Sequence, residues 1–517
     1  MVEKSNTPRP GFQGSETSWA EVFIYSNGGD PILLASKGSR NLNGRYRTDK
    51  SHTLISVSTN KPIGGCGSFA ITVKPSRAGS DTLLDQICDD DWVDIVFHRH
   101  GREWHTMRGI VGDVRRVRVV GSSGATSWAY QIPGFCFQRV FEMTPLWFNR
   151  FSRTVENVVG EPAIQVFNSI PNVGGDPAAT VKGFLIGWFK KLASYGRANW
   201  VLPKSMPGTL GTFFDDISQG WNQLQFSGIP NRISIDPNFM NPQGNLWEQA
   251  MSWADPAFLE LFCDLKPPPE VKEDSEIPLG KGVMSINFRD KPFVLGDLLA
   301  DSSGKAPDPA LGVGLQSLWY KLPLHVIPRQ QIVQDDVGRS GSERINAFFV
   351  SPQVTQQLIK AGPIDMAAPL WNIEDIRIHG LRRYDIVSRY SMKNPGDLFT
   401  LTSLQRGMVR DWYALNPYFL NGSISLGIGR PEIRVGSRVR IPGDNRETSQ
   451  DETYYVENVG HTWTFGPGLK TTLGVTRGWK GDDNSLLHAV NDQASRYSKP
   501  FDKGVIIEHS PFGDNYG

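Results

Sequence analysis

The clearest pattern of apolar and polar positions lies near the C-terminal end, from Pro431 to Trp479. Ile433 and Val435, then Val439 and Ile441, alternate with Arg434, Arg438 and Arg440, the period of two expected of strands with one dry and one wet face. Gly436, Gly443 and the Gly466-Pro467-Gly468 triplet punctuate the runs where turns are needed, so a three-stranded antiparallel meander is predicted. The same three-part pattern occurs once more, earlier in the chain. Asp91 to Phe97 alternates like the first strand, Arg108 to Val114 stands where Tyr455 to Val459 does, and Ser127 to Gly134 closes the unit as Thr471 to Gly478 does. A true repeat of this length would mean two similar β-units in one chain, although any two three-stranded antiparallel meanders share this much pattern.

The region between them changes period. Asp176-Pro177 reads as a helix start, and Val181, Phe184, Leu185, Trp188, Phe189 and Leu192 follow at helical spacing. A second helix is capped by Asn245, carries Leu246, Ala250 and Trp253, and ends at Asp255-Pro256. Leu259, Leu261, Cys263 and Leu265 then alternate as a strand, as do Met284, Ile286 and Phe288 beyond a proline-rich, charged loop expected to be exposed. A helix near Leu404 to Asn416 leads through an Asn421-Gly422 turn into a strand with Ile424, Leu426 and Ile428.

The wording of these elements is more specific than their period. G-x-R-V-R-I from Gly436, Y-Y-V-E-x-V-x-H-x-W from Tyr454 and T-x-L-x-V-T-R-G from Thr471 are preceded, in order, by L-W-E-Q, L-E-L-F-C-D-L, I-N-F-R-D-K-P-F, Asn346 to Val350 and Ile378 to Arg382. That succession resembles the baseplate hub proteins of long-tailed, contractile-tailed bacteriophages over most of residues 90 to 480, while 1 to 85 and 300 to 340 match little of the pattern. The resemblance implies an α+β, mainly β protein with two similar tube-like antiparallel β-barrel domains and inserted α/β middle domains. The expected boundaries are a flexible arm over 1–18, the first tube-like domain over 19–150, the inserted region over 151–370, the second tube-like domain over 371–480 and a tail over 481–517. It further implies a structural, non-enzymatic homotrimer that joins a hexameric tail tube, or a tube-initiator protein, to a central spike, contacts other baseplate proteins and forms part of the DNA ejection conduit. Two alike domains in each of three chains present six near-equivalent surfaces to a hexameric ring. The implied location is the virion, after assembly in the host bacterial cytoplasm.

Composition narrows the alternatives. A formal net charge of +1 with 21% charged residues leaves no basic field for holding nucleic acid by its phosphates, so DNA is expected only in transit. The 517 residues exceed one ordinary core. Cys66, Cys88, Cys136 and Cys263 form no C-x-x-C pair, which suggests neither a zinc knuckle nor a disulfide scaffold but buried thiols of a reducing compartment. The first residues lack a basic region leading into an apolar core, so no signal peptide is expected. No window of eighteen apolar residues occurs either.

Candidate chemistry is sparse. His98, His100 and His105 could converge on a metal, but their spacing matches no established ligand pattern and reads as a polar hairpin tip. Asp89-Asp90-Asp91 lacks the glycine and distal glutamate of a calcium loop. There is no G-x-S-x-G and no H-E-x-x-H, and the adjacent acids Asp215-Asp216 and Glu374-Asp375 do not face each other across a sugar ring. No catalytic, cofactor or metal residue is expected. The competing classes are a tail-associated cell-wall hydrolase and a carbohydrate-binding tail-tip protein, the latter favoured by 15 tryptophans.

From Gly481 onward only isolated apolar residues remain, among them Leu486, Leu487 and Val490. This segment is expected to leave the last β-domain and order against a neighbouring subunit or the spike. Tyr497, Phe501, Val505, Ile506, Ile507 and Phe512 are its contact residues, with Val505 to Ile507 pairing as a strand.

Overall fold

The computed structural model describes residues 18–25, 31–35, 47–48, 52–75, 86–99, 102–120, 126–145, 177–188, 201–204, 206, 209–224, 233–235, 244–266, 282–292, 319, 321–352, 370–388, 390–392, 398–444 and 450–497. Nine strands come first: β1 (Trp19–Tyr25), β2 (Ile32–Ala35), β3 (Arg47–Thr48), β4 (His52–Pro62), β5 (Ser68–Pro75), β6 (Trp92–Arg99), β7 (Arg102–Val111), β8 (Arg115–Val120) and β9 (Thr126–Cys136). A helical stretch follows, with α1 (Arg139–Met143), α2 (Pro177–Lys182) running on as a π-helix over Gly183–Trp188, and α3 (Phe213–Gly220). Then come β10 (Trp221–Leu224), β11 (Ile233–Ile235), α4 (Leu246–Ala254), β12 (Leu259–Lys266), β13 (Val283–Asp290), β14 (Leu324–Val326) and β15 (Ile332–Gly338). Next are β16 (Ala347–Pro352), β17 (Leu370–Trp371), α5 (Ile373–His379), β18 (Arg383–Ser388), β19 (Tyr390–Met392) and α6 (Leu398–Tyr413). The chain closes with β20 (Leu420–Leu426), β21 (Arg438–Ile441), β22 (Glu452–Thr464), β23 (Gly468–Lys480) and α7 (Asp483–Ser495).

Mainly β architecture is the outcome, dominated by one large sheet of 15 strands. Within it a five-strand order occurs twice. β4-β5-β9-β7-β6 in the first half and β15-β20-β23-β22-β21 in the second are both antiparallel throughout. In each, the strand that comes third along the chain ends at one edge and the fifth sits in the middle. The match thus extends to β4, β5 and β15, which the sequence pattern had left unplaced. The two units share an edge: Ser56 to Pro62 of β4 pair with Asn458 to Thr464 of β22, beyond the short stretch where β22 carries β21. They therefore form one continuous sheet.

Each unit keeps its own apolar interior. Val22, Val57, Ile71, Val93, Ile95, Met107 and Ile132 fill the first, and Ile424, Val439, Tyr454, Val456, Leu473 and Val475 fill the second. A third core lies under the inserted elements, where Phe184 meets Trp253 edge to face at 4.7 Å and Phe141 packs on Phe213 and Trp247. Val181, Phe184 and Leu185 are fully buried there, as their spacing predicts, while Asp176, Phe189 and Leu192 lie outside the described residues. Asn245 caps α4 through a reciprocal box with Glu248, and Asp255, at φ 38°, ends it.

Three local expectations are corrected. Ile433 and Val435 are buried but lie in a turn, not a strand, because Gly436, at φ 71°, reverses the chain just before β21. Asn421-Gly422 sits inside β20 rather than in a turn. A Cβ on Gly422 would fall 1.9 Å from the Asp336 carbonyl oxygen, so the glycine serves close strand approach. Finally, the stretch just after Gly481 stays with its own chain: α7 folds back, and Leu486 and Val490, one turn apart, join Trp319, Trp412, Leu415, Phe419 and Tyr455 in a fourth core.

Candidate functional site

The region where the inserted sheet β10-β13-β12 meets both β-units holds a concentration of buried charge. Leu259, Leu261 and Leu265 of β12 face the inserted core, whereas Glu260, Phe262 and Asp264 point the other way, toward the β-units. Alternation alone assigns that second face to water. It is in fact buried against protein, and Phe262 between the two acids is the signal in the sequence that it would be.

On the side of the second unit, Arg289 of β13 donates from Nε to Glu260 Oε2 at 2.8 Å, from one terminal nitrogen to the Gly436 carbonyl at 3.1 Å and from the other to Tyr455 Oη at 2.5 Å. The Tyr455 hydroxyl in turn donates to Glu260 Oε2 at 2.7 Å. Lys291 approaches the other Glu260 oxygen at 3.7 Å and lies over the Trp412 ring. Burial by itself would raise the Glu260 pKa, but Arg289 and Lys291 outweigh it and hold the carboxyl below its usual range. Burial pushes Tyr455 well up and Lys291 down.

On the side of the first unit, Lys61 of β4 reaches Asp264 Oδ1 at 2.5 Å, and Arg434 lies 3.7 Å from the same oxygen. Arg434 also donates to the His105 backbone carbonyl of β7 at 2.6 Å. One arginine thus touches all three regions. Burial would raise Asp264, but Lys61 and Arg434 lower it. His461, with Nδ1 2.9 Å from Thr471 Oγ1, is driven down to about 3 by burial, then by Arg434 and Lys61. His105 falls to about 4, again chiefly through burial.

A cavity of about 480 Å³ opens at this junction, bounded by Trp104, Asp264, Arg289, Glu432, Arg434 and Ser437 among others. Asp264 on its wall and Glu260 nearby are held ionised by cations, and Tyr455 and His461 close by are held neutral. What the arrangement does well is mechanical: a partner removed from it strands a buried charge, so it locks the inserted sheet to both units at one angle.

The sequence candidates fall elsewhere. His98 stacks on Trp19 at 3.5 Å and bonds Glu21 at 2.9 Å, His105 sits at the junction, and His100 lies outside the described residues. The structure does not bring His98 and His105 together as ligands, and among the described residues no three acids, histidines or cysteines are grouped to hold a metal ion. Asp91 accepts from the Cys88 amide in its own turn. Asp215 caps α3 with Thr212, and buried Asp216 accepts from the Leu210 amide at 2.6 Å. Asp375 is bonded by Arg344 and Asn346. Asn346 also bonds the Gly380 carbonyl and the Arg382 amide, so the two short phrases at 346–350 and 378–382 meet in space. Tyr497 is buried in its own chain, 5.4 Å from Phe348, with its hydroxyl on the Ile345 carbonyl. Phe501, Val505, Ile506, Ile507 and Phe512 lie outside the described residues. Sequence reasoning missed the approach of Cys66 and Cys136, whose sulfurs are 3.6 Å apart across 70 positions.

No family model matches the chain. Over 139 residues it is 25% identical to Expansin-A13 of Oryza sativa subsp. japonica, a match that takes in 26% of this chain and about half of that protein's length. Solved structures it is similar to include two tail proteins and a secretion-system component. A tail protein from Neisseria meningitidis is 13% identical with a TM-score of 0.46, covering 91% of this chain and 98% of that one. A prophage tail protein from Shewanella oneidensis is 9% identical at 0.42, covering 90% and 97%. An Escherichia coli component of the type VI secretion system, described as similar to T4 bacteriophage tail proteins, is 8% identical at 0.35, covering 83% and 74%.

Proposed function

We propose that this chain is a structural baseplate hub: a homotrimer that joins the hexameric tail tube, or its initiator, to a central spike within the baseplate and lines part of the path by which DNA leaves. The observation that carries this reading is the five-strand order present twice in one chain. Three such chains offer six similar units, which is the arrangement a hexameric ring can rest on. The ordered succession of hub-like phrases from Gly436 back to Leu246 supports the same reading, and so does the salt-bridged junction. A part that must hold two units at a fixed angle needs a stiff joint.

In this reading the work is done by geometry, not by bond chemistry, and the virion tail is the place of action. Phe501, Val505, Ile506, Ile507 and Phe512 remain the candidates for contact with a neighbouring subunit or the spike, since Tyr497, the last described residue, is anchored in its own chain.

Sedimentation of the purified full chain tests the reading. A species of three times the 57.5 kDa chain mass at micromolar concentration is expected, with no release of cell-wall fragments and no retention on glycan resin. A monomer, or either activity, overturns it. Deleting residues 501–517 is expected to leave the melting transition unchanged while lowering incorporation into tails. Normal tails from that truncation would show the segment to be dispensable.

A further inference from the structure

Among the described residues four strands of the large sheet pair on one side only, β3, β8, β14 and β15, and of these β8 and β15 each extend one of the two units. β8 pairs only with β9, and β15 pairs only with β20. An open edge is a row of backbone donors and acceptors ready to take another strand, and any charge suffices to discourage that. Here the charges are sorted. Arg115, Arg116 and Arg118 of β8 are all exposed, and the last two lie over Trp128 at 4.9 and 5.4 Å, which is itself 41% exposed. Arg115 also pairs with Asp113 in the preceding turn. On β15, Gln334, Asp335 and Asp336 are exposed, and Val333, bulged out of register between Ile332 and Gln334, is 75% exposed. Neither strand carries a charge of the other sign, although Arg339 follows just beyond β15.

Such sorting rejects like with like. β8 against β8, or β15 against β15, sets cation on cation or acid on acid, while β8 against β15 sets unlike charges together and gives Val333 an apolar neighbour in Trp128. Self-pairing across a two-fold is thereby disfavoured and head-to-tail contact favoured, the kind that generates rings. The topology agrees. β15 occupies in the second unit the position that β4 occupies in the first, and the outer edge of β4 is already covered within the chain by β22.

We infer that the β15 edge of one copy docks on the β8 edge of the next, and that this contact closes the ring. The inference rests on the trimeric reading above and names its interface. The test uses three full-length variants: D335K/D336K, R115E/R116E/R118E, and all five substitutions in one chain, each checked for an unchanged melt because every altered side chain is exposed. Each single-edge variant is expected to raise the trimer dissociation constant at least tenfold by sedimentation, with a steeper loss in low salt. The five-fold variant, with both edges reversed, is expected to recover the trimer. A wild-type trimer indifferent to both single-edge variants, or a five-fold variant that stays dissociated, overturns the interface and leaves the trimer standing. A wild-type monomer overturns both.

Discussion

The two β-units share a strand order but handle buried charge in opposite ways. At the same place in each, where the third strand along the chain pairs with the fourth, the first unit has Asp94 opposite Arg108 and the second has Arg438 opposite Tyr455. Asp94 and Arg108 satisfy one another through two bonds of 2.7 Å, both side chains 1% exposed. In the second unit the corresponding groups turn outward. Arg438 reaches Asp483 of α7 at 3.0 Å, and Tyr455 joins Arg289 and Glu260 of the inserted sheet. At this position the first unit closes its own pair, although elsewhere its Lys61 and the His105 carbonyl reach out to Asp264 and Arg434. The other depends on elements brought in from distant parts of the chain, which makes it the natural point of mechanical coupling.

The strongest way to break this contrast is to open the closed pair. Arg108→Met leaves the Asp94 carboxylate buried without its cation, a change expected to lower stability by about 3–5 kcal/mol. Urea unfolding of the full chain measures it. A loss under about 1 kcal/mol would show that Asp94 finds water or another donor, and the pair would not be the closed one.

Next in size is a dependence on pH that the two units share. His105 in the first and His461 in the second are held neutral, at about 4 and about 3, mainly by burial. For a histidine with a depressed folded pKa, the unfolded chain binds the extra proton first. Stability is therefore full above about pH 6.5 and falls as pH drops toward 4, by up to about 1.4 kcal/mol per unit for each residue. Glu260 and Asp264, also depressed, add a loss at lower pH, from the usual carboxylate range downward. Melts at pH 7, 6 and 5 check the first window, and His461→Gln is expected to flatten it by about half. A flat profile down to pH 5 contradicts the burial of both rings.

How much of this was legible beforehand follows from which forces act locally. The third, fourth and fifth strands of each unit show in the period of Val93, Ile95, Val439 and Ile441, because a half-buried strand writes its faces into its own sequence. The α4 cap is likewise local. The role of β4 is not: its partners on β22 lie some four hundred positions away, and period reveals a strand without naming its neighbour. The junction was hidden for a related reason. Glu260 and Asp264 look like a solvent face until another domain covers it. α7 was missed because two anchors, Leu486 and Val490, make too thin a stripe to stand out from a polar tail.

A smaller effect sharpens the outward-turned half of the contrast. Tyr455→Phe removes the hydroxyl that links Arg289 to Glu260 and leaves Arg289 one acceptor short, for a loss of about 1–3 kcal/mol. Because Tyr455 acts through Glu260, the loss should not add to that of Glu260→Gln, whereas it should add to that of Arg108→Met within about 0.5 kcal/mol. The double-mutant cycles are measured by denaturant midpoint. Coupling between Tyr455 and Arg108 would mean the two units are one electrostatic body.

The least effect is expected of Tyr497→Phe, at the chain's last described residue. Tyr497 contributes a ring packed on Phe348 and one hydrogen bond to the Ile345 carbonyl. Phe at 497 keeps the ring and gives up the bond, which on a partly buried neutral pair is about 1 kcal/mol, while Ala gives up the packing as well and falls by about 3–5 kcal/mol. The ratio of the two separates an anchor held by its hydroxyl from one held by its ring. It also tests how the second half of the molecule uses the chain that follows β23. If Tyr497→Ala is silent in the melt yet lowers trimer or spike attachment, the residue belongs to a partner and the chain leaves its own domain before 497. If it lowers the melt and leaves assembly intact, the tail's first stretch is a brace for the outward-turned unit, and contact with other proteins begins beyond it.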